Sequence, residues 1–375
     1  MHISEREQEL PEAMIEKLIK VASEDKRIIS LGAGEPDFPA PPAVVAYARK
    51  MMAKANHYSP PAGRKDLREA LTKKVAKENG IKCSPEQVVV TNGSQEALML
   101  AAASTLDATE QVIIPSPAFL GYTPMFELLD IFPVFSKLDE EFLPDIDDMR
   151  KKITKKTKAI LICTPSNPTG AVYPRKTLEE LADIAIENDL MVFSDEAYEK
   201  ITYGAKHISI ASLNGMAEHA VTFQSFSKSY AMCGYRLGYA IAPPKLAAAM
   251  RKIHVYSTIS APTISQMVGA KALTQSAYTK KMVKEYDKRR RTIVSRLNEI
   301  GLETRMPQGA FYTFSKMHGD DRKFAVKLLK KEKVAVVPGS EFGQGGEGHI
   351  RCSYATSYEK IEKAMDRIER FLNRR

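Results

Sequence analysis

Seven short runs rich in β-branched and apolar residues constrain this chain more than any other feature. They are Val88–Thr91, Gln111–Ile114, Pro133–Ser136, Lys158–Cys163, Leu190–Phe193, Ala220–Phe223 and Tyr239–Ala242. Each has the length of a buried strand, and several are separated by helical patterns such as Leu178, Leu181, Ala182 and Ala185. Alternation of this kind predicts an α/β fold, a three-layer αβα large domain around a mainly parallel seven-stranded sheet. Beyond about residue 270 the pattern changes to long helices and shorter strands, which predicts a smaller α/β domain. The expected division is residues 1–40 as an N-terminal arm and part of the small domain, 41–270 as the large domain and 271–375 as the small C-terminal domain. Residues 1–27 alternate charged and apolar positions and read as an arm plus a helix.

In such sheets ligands gather outside the carboxyl ends of the strands, so the polar groups found there carry the functional reading. After Ala220–Phe223 comes Ser225-Phe226-Ser227-Lys228, with Arg236 eight residues on. A lysine amine that is desolvated and crowded by another cation becomes a nucleophile, and two hydroxyls with a guanidinium make a phosphate cradle. Locally, a solvated loop that happens to hold a lysine is the competing reading. Val88–Thr91 turns through Asn92-Gly93 into a helix, so Ser94 and Gln95 offer free N–H groups at its positive end, a second anion site. Asn167 lies between two prolines after Lys158–Cys163, and Asp195 and Tyr198 follow Leu190–Phe193. A carboxylate at the end of a buried strand is costly unless compensated, so Asp195 is expected to face a cation.

Other positions are less specific. Phe119 sits on a stiff loop and, taken alone, reads as a core residue. Tyr58 lies on the rigid loop Ser59-Pro60-Pro61, and Gly34 lies in a Gly/Pro loop where backbone can approach a ligand. Arg351 stands in an otherwise apolar strand, an odd place for a guanidinium unless it binds an anion. Gly343, Gly345 and Gly348 satisfy a literal GxGxxG, but a strand follows, so the dinucleotide-binding context is missing.

Composition narrows the class. The chain has 375 residues, 44% of them hydrophobic, enough for a sizeable core. No run approaches a membrane span, and Met1 to Glu12 is charged where a signal peptide is apolar, so a cytoplasmic location is expected and no membrane partner. Four dispersed cysteines read as reduced thiols, and the histidines form no ligand cluster, so no metal is expected. The net charge of +9 fits nucleic acid or anionic small molecules. Its densest run, Lys288 to Arg291, falls in a helix expected from about Ser276 to Ile300 and reads as a solvated face, so no nucleic-acid partner is expected.

A lysine, a strand-end aspartate, an asparagine, a tyrosine and two anion cradles suit a cofactor with a phosphate and a protonated ring nitrogen. Together, from Gly34-Glu35-Pro36-Asp37-Phe38 to Arg351, they resemble the fold-type I, class I aminotransferases, which use pyridoxal 5'-phosphate. The likeness spans nearly the whole chain and is nearest to the prokaryotic and archaeal branch that includes aspartate and aromatic aminotransferases. It implies the fold of pyridoxal-phosphate-dependent transferases and a ping-pong exchange of an amino group between an amino acid and 2-oxoglutarate. By the same resemblance Lys228 links covalently to the cofactor and moves the proton between substrate Cα and cofactor C4′. Asp195 would hold the ring nitrogen protonated, and Asn167 and Tyr198 would bond its hydroxyl oxygen. Phe119 would stack on the ring where many relatives have tryptophan. Ser94, Gln95, Ser225, Ser227 and Arg236 would hold the phosphate, with Tyr58 reaching the phosphate of a neighbouring subunit in a homodimer. Arg351 would take the substrate α-carboxylate, and the Gly34 backbone would close over it.

The resemblance puts aspartate first as amino donor and an aromatic amino acid second, although a lysine found in some aspartate-specific relatives is here Ser94. A lyase or decarboxylase on the same scaffold is the alternative. A DNA-binding regulator would need an added helix-turn-helix, for which the residues before Ile28 are too few.

Overall fold

The β-branched runs become strands, and neighbouring residues in them face different cores. In the computed structural model, which describes residues 3–10, 21 and 25–373, β1 is Ile29–Ser30. The large sheet follows as β2 (Val88–Thr91), β3 (Gln111–Ser116), β4 (Phe132–Lys137), β5 (Thr157–Cys163), β6 (Met191–Asp195), β7 (Ala220–Ser225) and β8 (Gly238–Ile241). Val112, Ile114, Leu161 and Phe193 point into one core with the helices Ser94–Thr105 and Pro244–Ser257. Ile113, Ile160, Ile162 and Val192 point the other way, onto Leu178, Leu181 and Ala185 of the helix Arg175–Glu187. The period of two in side-chain direction thus makes three layers from one sheet.

Strand order is β2-β8-β7-β6-β5-β3-β4. All neighbours are parallel except β8, which runs antiparallel to both β2 and β7. The link from β7 to β8 holds one helical turn, Phe226–Ser229, and a 3-10 turn, Cys233–Tyr235, which is too little for a helical crossover. That short return carries Lys228 and Arg236.

Past residue 270 the long helix Ser276–Glu299 leads to β9 (Glu303–Thr304), β10 (Tyr312–Lys316), β11 (Val334–Ala335), β12 (Val337–Pro338) and β13 (His349–Ser353). Strands β12-β13-β10-β9 form an antiparallel sheet. Ile293, Leu297, Phe324, Leu328, Ile361 and Ile368 fill the core beneath it. β1 pairs in parallel with β11, so the segment after residue 28 is tied to the C-terminal part of the chain. Of the arm and helix expected over residues 1–27, Glu5–Glu9 is helical and residues 11–20 lie outside those described.

The basic run of the long helix is not the solvated face expected from composition. Lys288 and Arg291 are exposed, but Arg289 and Arg290 are buried. Arg289 donates to both carboxylate oxygens of Asp37 at 2.9 and 2.8 Å, and Arg290 donates to Asp287 and to the carbonyl of Pro307. Successive helical residues point about 100° apart, so four in a row must visit the buried side as well as the wet one. Among the described residues no helix is long and apolar enough to cross a membrane, and no cluster suits a metal ion.

Candidate active site

A cavity of about 550 Å³ opens at the carboxyl ends of β5, β6 and β7, between the large sheet and β13. Twelve of the thirteen site residues named from sequence line it: Gly34, Ser94, Gln95, Phe119, Asn167, Asp195, Tyr198, Ser225, Ser227, Lys228, Arg236 and Arg351. Tyr58 does not; it is 80% exposed on the outer surface.

One end of the cavity is built for an anion. Gly93 caps the helix Ser94–Thr105 at φ +84°, a conformation that glycine adopts without strain. A Cβ on Gly93 would also lie 2.7 Å from the Arg236 guanidinium, and one on Gly238 would lie 2.4 Å from the Ser94 nitrogen. These two glycines let β8 and its arginine press against the helix N-terminus. Arg236 is held by donating to the carbonyls of Cys233 (3.1 Å) and Asn92 (3.2 Å). Ser225 caps the single turn Phe226–Ser229 by accepting from the Ser227 N–H at 3.1 Å. Free N–H groups, two serines and a guanidinium therefore converge, as phosphate binding requires.

Lys228 stands next to this cradle and donates to the Gly34 carbonyl at 2.5 Å. Burial lowers its pKa from the ordinary 10.5; Cys233 and Glu35 oppose that shift, and the cations Arg236 and Arg351 reinforce it. The crowding by Arg236 expected from sequence is present, though burial is the larger cause.

Asp195 is held within the chain by two neutral donors. Its carboxylate accepts from the Tyr122 hydroxyl at 2.7 Å and from the Ala197 N–H at 3.0 Å, and among the described residues no cation lies in ion-pair contact with it. Burial raises its pKa while the Tyr122 hydrogen bond lowers it. That phenol stands on the helical turn Tyr122–Glu127, three residues after Phe119.

Arg351 is fully buried in β13. It donates to Asn167 Oδ1 at 2.9 Å and to the Gly32 carbonyl at 2.7 Å, and its Nε–H has no partner. Its guanidinium lies 4.4 Å from the Tyr312 ring centroid and 4.9 Å from that of Phe342. Tyr312 in turn shares a hydrogen bond with the Tyr198 hydroxyl at 2.8 Å. Among the described residues no carboxylate neutralises Arg351. Phe119 packs edge-on against Tyr122 at 5.3 Å and leaves a face toward the cavity.

Tyr122, Tyr312 and Phe342 are the contributors that sequence reading passed over. Tyr122 follows Phe119 by three residues, but nothing local says that a phenol meets Asp195 or that two rings flank Arg351. The glycines of the GxGxxG match lie in the loop between the 3-10 turn Gly339–Phe342 and β13, with no helix after them.

Comparison with known proteins agrees with this geometry. A family model described as aminotransferase class I and II matches residues 26–368. The chain is 43% identical to aromatic-amino-acid aminotransferase 2 of Thermococcus litoralis, over 99% of this chain and 98% of that one. It is also 43% identical to an aspartate aminotransferase of Pyrococcus abyssi over the same shares. The solved structure of aspartate aminotransferase from Thermus thermophilus with maleate superposes with a TM-score of 0.95 at 37% identity, covering 99% of each chain. A lysine, an aspartate and an uncompensated arginine around one anion cradle, with likeness along the full length, place this chain in the class I and II aminotransferase family.

Proposed function

We infer that this chain is a pyridoxal-phosphate-dependent aminotransferase that moves the α-amino group between an amino acid and a 2-oxo acid. Its family uses that cofactor. The residues fit it: the Ser94 and Gln95 N–H groups, Ser225, Ser227 and Arg236 would hold the phosphate, Asp195 the ring nitrogen, and Asn167 and Tyr198 the ring hydroxyl. When bound, the cofactor supplies an aldehyde for the amino group and a ring that draws electron density from the substrate α-carbon.

The chain's own residues then divide the work. Lys228, kept basic yet less protonated than a free lysine, takes and returns a proton at the substrate Cα. Asp195, oriented by Tyr122 and the Ala197 N–H, keeps a negative charge where the ring nitrogen must stay protonated. Arg351, stacked between Tyr312 and Phe342, takes the α-carboxylate and so sets which face of Cα meets Lys228.

The observation that carries this reading is the Arg351 guanidinium, fully buried with no counter-ion among the described residues. Burying an unpaired cation costs several kcal/mol, so the site is complete when a carboxylate arrives with the substrate. The working unit is a homodimer, supported by the exposed Tyr58 on the loop before Pro60, Val255 and Tyr256 in the last turn of the helix Pro244–Ser257, and Ile259 just after it. That loop and that helix meet where the Pro61 carbonyl accepts from His254, and Thr258 after the helix accepts from Asn92, the neighbour of the cavity-lining Gly93. A cytoplasmic site of action is supported by four unpaired cysteines. The test is to load the protein with pyridoxal phosphate, add single amino acids and follow the visible absorbance of the lysine-bound cofactor. Conversion by the native protein and none by Lys228→Ala is expected; turnover by that variant would sink the mechanism.

A further inference from the structure

We propose that Asp37 and Arg289 form a positioning pair for the substrate carboxylate site: their ion pair tethers the stretch 32–40, whose carbonyls hold Arg351 and Lys228 in place. The proposal rests on the reading that Arg351 takes the α-carboxylate.

The stretch does not hold itself. From Gly32 to Ala40, among the described residues, no backbone group is hydrogen-bonded to another backbone group. Polar backbone outside regular structure must find other partners, and here they are side chains. The Gly32 carbonyl accepts from Arg351 at 2.7 Å and the Gly34 carbonyl from Lys228 at 2.5 Å. Further along, Asp37 accepts from Arg289 at 2.9 and 2.8 Å and the Pro39 carbonyl from the Tyr278 hydroxyl at 2.7 Å. Just before the stretch, Leu31 bonds through its backbone to Ala335 and Ser353. One end is therefore fixed to β11 and β13, and the other rests on the helix Ser276–Glu299.

Two of these contacts belong to groups with other work to do. Lys228 releases the Gly34 carbonyl when its amine takes part in the reaction, and Arg351 then has a substrate carboxylate to hold as well as Gly32. Asp37 and Pro39 keep the far end in place at that moment, and the Asp37 contact is the charge-assisted, stronger one. Arg289 is itself well fixed. Its side chain is 8% exposed, its Nε–H donates to Glu285 at 3.3 Å, and its guanidinium lies 5.3 Å from the Phe38 ring centroid and 5.6 Å from that of Tyr286. Phe38 packs edge-on against Tyr286, so the same helix grips the residue after Asp37 as well. There is little slack between the tether and the site. A Cβ on Gly34 would lie 3.2 Å from the hydroxyl of Tyr312, whose ring flanks Arg351, so a shift at Asp37 is passed to the Gly34 carbonyl and to the surroundings of Arg351.

The experiment uses the cofactor-loaded protein with Asp37→Asn, Arg289→Met, and the two together. Two unreactive acids, maleate and 3-phenylpropionate, report on the carboxylate site through the absorbance of the bound cofactor and through calorimetry, and cofactor affinity is measured separately by dialysis. For whichever acid the native protein holds, each single variant is expected to raise the half-saturating concentration about tenfold, while cofactor affinity changes by less than about twofold. The double variant is expected to lose no more than either single one, because the two residues act as a unit. Arg289→Lys, which keeps the charge, is expected to recover part of the loss. Asp37 is 28% exposed and Asp37→Asn opens no cavity, so this variant reads the tether even where Arg289→Met fails to fold. Unchanged acid binding in Asp37→Asn would overturn the proposal, and so would equal loss of acid and cofactor or single effects that multiply in the double variant. Failure of the native protein to take up the cofactor, or to bind either acid, is a different result, and it would overturn the functional reading beneath.

Discussion

At the scale of single residues, the site keeps several groups in states that water would not favour. Lys228 is the clearest, since burial depresses its pKa from 10.5. The neutral amine is the form that attacks an aldehyde, so capture of pyridoxal phosphate should keep its plateau rate as pH falls below the ordinary lysine value. The rate drops only when pH passes the depressed pKa. Stopped-flow absorbance across pH is therefore expected to give a midpoint below 10.5, and a midpoint at the ordinary value would contradict the burial argument. Arg351 shows the opposite economy, a cation fixed by Asn167, Gly32 and two aromatic faces before its anion arrives. Preorganisation of this kind leaves little to reorganise when substrate binds.

At the scale of elements, the strand ends that carry Asp195 and Lys228 are braced from the opposite side of the sheet. Lys74, on the helix Lys65–Glu78, is buried against Glu199 and donates to Asn79 (2.9 Å) and Gln224 of β7 (2.6 Å). Glu196, next to Asp195, accepts from Ser194, Ser209 and Gln224 and contacts His207. Leu67, Leu71 and Val75 are buried on that helix, and Lys74 is buried among them, which no apolar periodicity announces. Removing one partner of a buried pair strands the other. Lys74→Ala is thus expected to destabilise the protein by about 3–5 kcal/mol, seen as a lower midpoint in urea denaturation followed by circular dichroism. A loss below about 1 kcal/mol would show that the network is wet and weakly coupled.

At the scale of the molecule, Tyr58 is the named site residue that this single chain cannot use, being on the outer surface. In the proposed homodimer it would donate to the neighbour's phosphate. Tyr58→Phe is expected to weaken pyridoxal phosphate binding by about tenfold while leaving the phosphate-free pyridoxal unaffected, the signature of a lost charged hydrogen bond. Equal weakening of both would point to altered packing instead. Much of the architecture was legible because it depends on local pattern: seven β-branched runs at strand length, helices between them, and polar groups that must follow strand ends. Lys228, Asp195 and Asn167 were legible because they follow the ends of buried strands, and Arg351 because a guanidinium inside an apolar strand is costly without a use. The β7–β8 return made β8 antiparallel by its shortness, which spacing along the chain already contains. What tertiary structure alone decided is which distant groups meet: Tyr122 on Asp195, Tyr312 and Phe342 around Arg351, Asp37 on Arg289, Lys74 on Glu199. Those pairings join elements far apart in the chain, and burial rather than periodicity sets their energies, so no local pattern announces them.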